Sequence, residues 1–188
     1  MWANRTKRIA RARGFSSASG SAMSRSQPTT YSSTQIAIHW IVAALVLFQI
    51  VFGESIKDLG RALRRGEAPD AMVSLMGNLH IWFGVAILVL TLVRVFLKVT
   101  RGAPPAPPGS ALSLFAMKAV YALFYLLMLA APVTGLAAWY LSVDVAGDIH
   151  EAMKPAFVLL IAIHVLAALW HRFVLKDDVM GRMLSSRP

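Results

Sequence analysis

Three stretches of this chain, Ile36–Gly53, Met72–Val93 and Ala119–Val143, carry no charged side chain at all. A fourth, Ala156–His171, is also uncharged and extends back to His150 through Glu151 and Lys154. Crossing roughly 30 Å of hydrocarbon takes about 20 mostly apolar residues, and all four qualify once the last is given its first two turns. Lipid offers backbone N–H and C=O groups no water to bond, so each stretch must be a helix. The sequence therefore predicts an all-α membrane protein, a four-transmembrane-helix bundle over residues 31–183. Pro132 and Gly135 are expected to bend the third helix, which neighbouring helices can accommodate. Composition agrees: 57% of residues are hydrophobic and only 15% charged, and the charges fall mostly between the four runs.

Charge placement sets the expected orientation. Arg5, Lys7, Arg8, Arg11, Arg13 and Arg25 precede the first run; Arg94, Lys98, Arg101 and Lys118 separate the second from the third; Arg172, Lys176, Arg182 and Arg187 follow the fourth. Most of the 19 lysines and arginines are thus on one side. The positive-inside bias places both the N and C termini in the cytoplasm. The two outer loops then hold Glu54 to Asp70 and Asp144 to Lys154. The net charge of +10 does not imply nucleic-acid binding, because the basic residues flank apolar runs and form no single recognition surface.

Residues 1–30 are Arg- and Ser-rich, lack acids and have no apolar core, so they are not a secretory signal. They read as a disordered basic N-terminal extension; the composition resembles a transit peptide, and a mis-called start with Met23 as initiator is an equal reading. Ala103 to Ser110, APPAPPGS, reads as a stiff extended connection. Residues 184–188 are a short C-terminal tail. With no cysteine, disulfides, thiol catalysis, cysteine-held clusters and covalent haem attachment are excluded, so any redox cofactor is held non-covalently.

The five histidines carry the functional signal, since an ionisable residue inside a membrane is a functional-site hypothesis by default. His39 lies about one turn into the first helix and His80 opens the second, at the opposite face. His150 enters the fourth helix, and His164 follows 14 residues later, roughly 21 Å deeper and on the same face. Two levels result: an outer one with His80 and His150, and an inner one with His39 and either His164 or His171. Two imidazoles facing each other across a bundle suit axial ligation of b-type haem, and the iron gives a neutral imidazole in lipid its missing partner. Zinc fits less well, because it prefers four compact ligands.

His171 follows His164 by seven residues on nearly the same face. It reads as a non-ligand at headgroup level beside Trp170, near a haem propionate or a quinone. Arg94 follows His80 by 14 residues and is a candidate partner for a propionate, which guanidinium binds through two hydrogen bonds; a snorkelling arginine is the plain alternative. Trp40, Trp82, Trp139 and Trp170 mark helix ends. Tyr121 and Tyr125 could line a quinone pocket or simply pack between helices. Gly84, one turn after His80, would let a flat macrocycle approach the helix, although helix packing explains it as well.

The segments YSSTQIAIHW, NLHIWFGVAILVLTLVRVFLK, APVTGL and HEAMKPAFVLLIAIHVLAALWHRFVLKDDVMGRM resemble, in order, the bacterial cytochrome b561 family, related to the cytochrome b subunits of nickel–iron hydrogenases and formate dehydrogenases. The resemblance spans roughly Tyr31 to Met183. It implies two b haems with His39, His80, His150 and His164 as axial ligands, favours His164 over His171, and implies electron exchange with the quinone pool. The expected function is a di-haem cytochrome of the bacterial inner membrane, taking electrons from an unidentified donor to quinone in respiratory electron transport, or in reverse. Rival expectations are a superoxide:quinone oxidoreductase, a membrane-anchor cytochrome b subunit of a dehydrogenase with a redox partner subunit, and a haem-free structural bundle. No nucleophile or general acid–base constellation is present, so any reaction is electron transfer at a haem edge.

Overall fold

The computed structural model describes Pro28 and residues 30–186. The expected disorder of the extension therefore lies almost wholly outside the described residues. Among the described residues five α-helices follow one another: α1 Ser33–Phe52, α2 Ser55–Arg64, α3 Ala71–Arg101, α4 Ala111–Leu141 and α5 Asp144–Trp170. A π-helical turn, His171–Leu175, and a 3-10 turn, Gly181–Met183, follow α5. Four of these helices, with α5 running on to Leu175, are long and apolar enough to cross a membrane. Helices α1, α3, α4 and α5 are the predicted bundle.

Helix starts follow local chemistry. Ser32 and Gln35 form a reciprocal capping box at α1. Asp70 accepts from the Met72 N–H at 2.7 Å to open α3, and Ser110 caps α4 through the Ser113 N–H. At the end of α3, Gly102 takes a positive φ of 79° that a side chain would resist. The segment 103–110 contains no helix, in keeping with its prolines. Three boundaries differ from expectation. Helix α3 runs on to Arg101, α4 starts at Ala111 and α5 at Asp144, because capping residues and helix-favouring polar turns continue each helix beyond its uncharged stretch. Both Pro132 and Pro155 are accommodated inside continuous helices.

Helix packing runs α1 to α3 to α4 to α5, with α2 laid against α3. Buried Ile38, Val42, Ile87, Leu97, Met128 and Phe157 make the core. The outward faces are apolar: Trp82 is 68% exposed, Leu166 66% and Phe96 64%. Side chains of this kind in contact with lipid cost nothing, which is why a bundle with so small a core is stable in a bilayer.

The bundle has two ends. The terminal end holds the start of α1, the α3–α4 connection and the C-terminal segment; the α2 end holds α2 and the α4–α5 turn. At the terminal end the C-terminal segment folds back on α1: Trp40 Nε1 donates to the Met183 carbonyl at 2.9 Å, and Ser33 Oγ meets Ser186 Oγ at 3.0 Å. At the other end α2 is a helix within the segment Glu54–Asp70, which the sequence predicts as an outer loop. Its Leu59 is buried over Gly77 of α3, where even a methyl group would overlap the leucine side chain. A Gly77→Leu substitution is expected to expel α2 from α3, read as loss of amide-exchange protection confined to residues 55–64.

Candidate functional site

Four of the five histidines meet in two pairs. At the α2 end, His80 of α3 faces His150 of α5 with ring centroids 5.9 Å apart and planes at 84°. At the terminal end, His39 of α1 faces His164 of α5 at 6.3 Å and 58°. Two imidazoles bonded to one ion through a nitrogen, each at about 2 Å, hold their centroids roughly 6 Å apart, so both spacings admit a single ion between the rings. Among the described residues, no three His, Cys, Asp or Glu side chains gather as a metal group, so the imidazoles come only in twos. Since His150 and His164 share the unbroken helix α5, the pairs stand about 21 Å apart along it.

The His150 ring is oriented by the backbone. Its Nδ1 lies 2.7 Å from the Ala131 carbonyl of α4. A carbonyl only accepts, so Nδ1 carries the proton and Nε2 keeps its lone pair for a ligand. Glycine makes the room: a Cβ on Gly135, one turn beyond Ala131, would stand 3.0 Å from His150 Cε1 and 3.1 Å from Nδ1. The His80 ring is matched by Gly53, whose Cβ would lie 3.2 Å from His80 Nδ1. Gln49 Nε2 donates to the His80 carbonyl at 2.7 Å and ties α1 to α3 beside that ring.

Between these groups opens a cavity of about 920 Å³, reached by both His80 and His150 and by Gly84, Met128 and Phe157. Among the described residues, four buried side-chain polar atoms lack a hydrogen-bond partner, namely His39 Nδ1, His80 Nδ1, Gln49 Oε1 and Thr91 Oγ1. Unpartnered groups of this kind are rare in a finished interior. Three of the four belong to the paired histidines or to Gln49 at the cavity wall.

At the mouth of the cavity α2 meets α5 through charges. Lys57 reaches Glu151 at 3.0 Å and Glu54 at 3.2 Å, and Lys154 reaches Glu54 at 2.6 Å. Arg61 pairs with Asp58 on α2 itself. Hydrogen bonds from Lys154 and then Lys57 hold the Glu54 carboxyl below its ordinary range, and Glu151 and Glu54 raise the Lys57 ammonium. A lowered carboxyl contributes stability above its unfolded-state value and loses it as pH falls through the folded one. A raised ammonium contributes below its unfolded-state value and loses it as pH rises through the folded one. The α2–α5 contact is therefore expected to hold across neutral pH and to loosen at both extremes, by less than about 1 kcal/mol per exposed pair. Amide exchange of α2 against pH, corrected for intrinsic rates, measures this.

The remaining site residues are at the terminal end. The Arg94 side chain is within electrostatic reach of His39 and His164, and of Tyr31. His171 does not join His39. It sits in the π-helical turn, and its Nδ1 lies 2.6 Å from Asp177 Oδ2. Phe124 packs edge-on against His164, with centroids 5.4 Å apart.

Sequence reasoning missed Gly53, Gly135 and the Ala131 carbonyl as supports of the rings, and α2 as part of the cavity wall. Two signals were there to read. Ala131 and Gly135 stand one helical turn apart on one face of α4. Lys57, Arg61 and Arg64 recur at helical spacing within a segment read as polar loop, and they line the cavity together.

Residues 30–186 match the family described as prokaryotic cytochrome b561. The chain is 35% identical to a cytochrome b562 of Cereibacter sphaeroides, over 86% of this chain and 99% of that protein. It is 31% identical to a probable superoxide oxidase CybB of Yersinia pestis, over 84% and 97%. It is 28% identical to cytochrome b561 homolog 1 of Escherichia coli, over 84% and 98%.

Proposed function

The chain belongs to the prokaryotic cytochrome b561 family and is a membrane electron carrier, and from that premise we propose that it holds two non-covalent b haems and passes electrons between them and the quinone pool of the bacterial inner membrane. The observation that carries this reading is the meeting of four histidines in two facing pairs, one at each end of a single bundle. His80 and His150 would ligate one haem iron, and His39 and His164 the other. Haem b, when bound, supplies a one-electron iron couple. The chain does the rest. The Ala131 carbonyl fixes the His150 tautomer, and Gly53 and Gly135 leave the rings their space. Arg94 is assigned to a propionate of the haem at the terminal end. His171, engaged by Asp177, is assigned no ligand role.

Residues 31–183 form the cytochrome unit in this reading, with both termini cytoplasmic, so the α2 end faces outward. Electrons enter at that end from a donor and leave to quinone, or run in reverse. The reduced-minus-oxidised spectrum of the purified protein tests the core of it. Bands of b-type haem and two haems per chain are expected, and a featureless spectrum would defeat the assignment.

The Yersinia pestis relative's name favours a second reading, oxidation of superoxide with reduction of quinone. Lys57, Arg61, Arg64 and Lys154 at the cavity mouth would attract an anion, offset by Glu54, Asp58 and Glu151. Rapid mixing with superoxide is expected to reduce haem faster than in membranes lacking the protein; equal rates would discard this reading.

A further inference from the structure

The cavity between His80 and His150 has an apolar end and a charged end. Its inner wall includes the buried side chains of Ile87, Met128 and Phe157. Its mouth, at the α2 end, is lined by Lys57, Arg61, Arg64 and Lys154. Three of these cations are engaged by carboxylates of the protein: Lys57 by Glu54 and Glu151, Lys154 by Glu54, and Arg61 by Asp58. Arg64 is different. Among the described residues it has no carboxylate partner.

Gly60 and Trp139 give the Arg64 guanidinium its place. A Cβ on Gly60 would meet Arg64 Nη1 at 3.3 Å and Trp139 Cζ3 at 3.5 Å, so Arg64 folds back along α2 and shares the space over Gly60 with the indole. Trp139 follows Gly135 by one turn of α4, and Gly135 marks the height of the His150 ring. The guanidinium therefore stands about 5 Å, one helical turn, beyond the paired rings toward the mouth.

A haem bonded through His80 and His150 brings its own asymmetry. Most of its edge is hydrocarbon, and two propionates leave from one side. A carboxylate buried against apolar side chains is costly, and at the mouth it meets water and cations. The apolar wall and charged mouth thus turn the propionates toward the α2 end. Asp144 and Asp148 also line the cavity, so an anionic edge there needs a cation to receive it. Lys57, Arg61 and Lys154 are already taken. Arg64 is not, and a guanidinium binds a carboxylate through two parallel N–H···O bonds.

We propose that Arg64 binds a propionate of the haem held by His80 and His150, which makes α2 part of the cofactor's binding site. The assignment rests on the two-haem reading above and adds a residue to it outside the spanning helices.

The test uses the full-length haem-loaded protein in nanodiscs of zwitterionic lipid. Three quantities are followed: the rate of haem transfer to excess apomyoglobin, the midpoint potential of each haem, and the propionate carboxylate band in redox difference infrared spectra. Arg64→Met is expected to speed transfer of one haem about 10-fold, as loss of a charge-assisted hydrogen bond does. That haem should be the one missing from His150→Ala. Its potential should fall, because removal of a nearby positive charge favours the ferric iron, and its propionate band should shift. The other haem should keep all three values. Arg64→Lys retains the charge without the fork, so it should restore the potential and only part of the retention. Arg65→Met removes the neighbouring cation, which does not line the cavity, and should match wild type. If wild-type protein holds two haems and Arg64→Met leaves transfer, potential and carboxylate band unchanged, the Arg64 assignment is wrong while ligation by the histidine pairs stands. If Arg65→Met reproduces the Arg64→Met changes, the effect is one of general surface charge and the assignment is equally wrong. If wild-type protein holds no haem, the two-haem reading itself fails, and this assignment with it.

Discussion

The His150→Ala protein is expected to lose one of its two haems and keep the other with an unaltered spectrum. Three things go at once: the axial nitrogen, the Nδ1 contact to Ala131, and the ring that stands 5.9 Å from His80. Loss of a hydrogen bond that only orients a ligand commonly costs 10- to 100-fold in metal affinity, and removal of the ligand itself costs more. His80→Ala should lose the same haem. His39→Ala and His164→Ala should both lose the other, because those rings face each other 6.3 Å apart. His171→Ala should retain both, its ring being held by Asp177. Haem extraction and difference spectra of the five variants measure this directly. The pairing is wrong if His150→Ala and His164→Ala lose the same haem, or if His171→Ala loses either.

The four spanning helices were legible because lipid allows the backbone one solution, and an uncharged run of sufficient length announces it. The two depths of histidine were legible for a related reason: a helix converts sequence spacing into height and angle, so 14 residues between His150 and His164 fix both. Helix ends were less so, since α5 begins at Asp144 and α4 at Ala111, where polar residues continue a helix that hydropathy alone cuts short. Helix α2 escaped notice because its burial is a single event, Leu59 entering the notch at Gly77, while its other faces are polar. Tertiary partners of the rings were illegible for a physical reason. Which glycine meets which imidazole depends on the rotation of α4 against α5 and of α1 against α3; the one-turn spacing of Ala131 and Gly135 puts them on one face but does not say which ring they meet.

Gly135→Leu is expected to reproduce the His150→Ala spectrum with every histidine in place. A Cβ at Gly135 would lie 3.0 Å from His150 Cε1 and 3.1 Å from Nδ1, closer than van der Waals contact. Alanine there asks the ring to give by a few tenths of an ångström; leucine adds atoms where the ring now lies. Displacing the ring breaks its bond to the Ala131 carbonyl, leaving a buried donor unpaired at about 1–3 kcal/mol, and overpacking adds about 1–3 kcal/mol more. Gly135→Ala should weaken retention of that haem, and Gly135→Leu should abolish it, while the haem between His39 and His164 is kept. Gly84→Ala separates a glycine needed by the protein from one needed by its cofactor. Its Cβ would meet only Gln49 Nε2, at an ordinary 3.5 Å, so the protein alone has no objection to it. Loss of haem in Gly84→Ala, with helix content and thermal stability unchanged, would mean that a macrocycle lies against that face of α3. Full retention would instead mean that no cofactor lies against Gly84 and leave Gly53 and Gly135 as the glycines that shape the site.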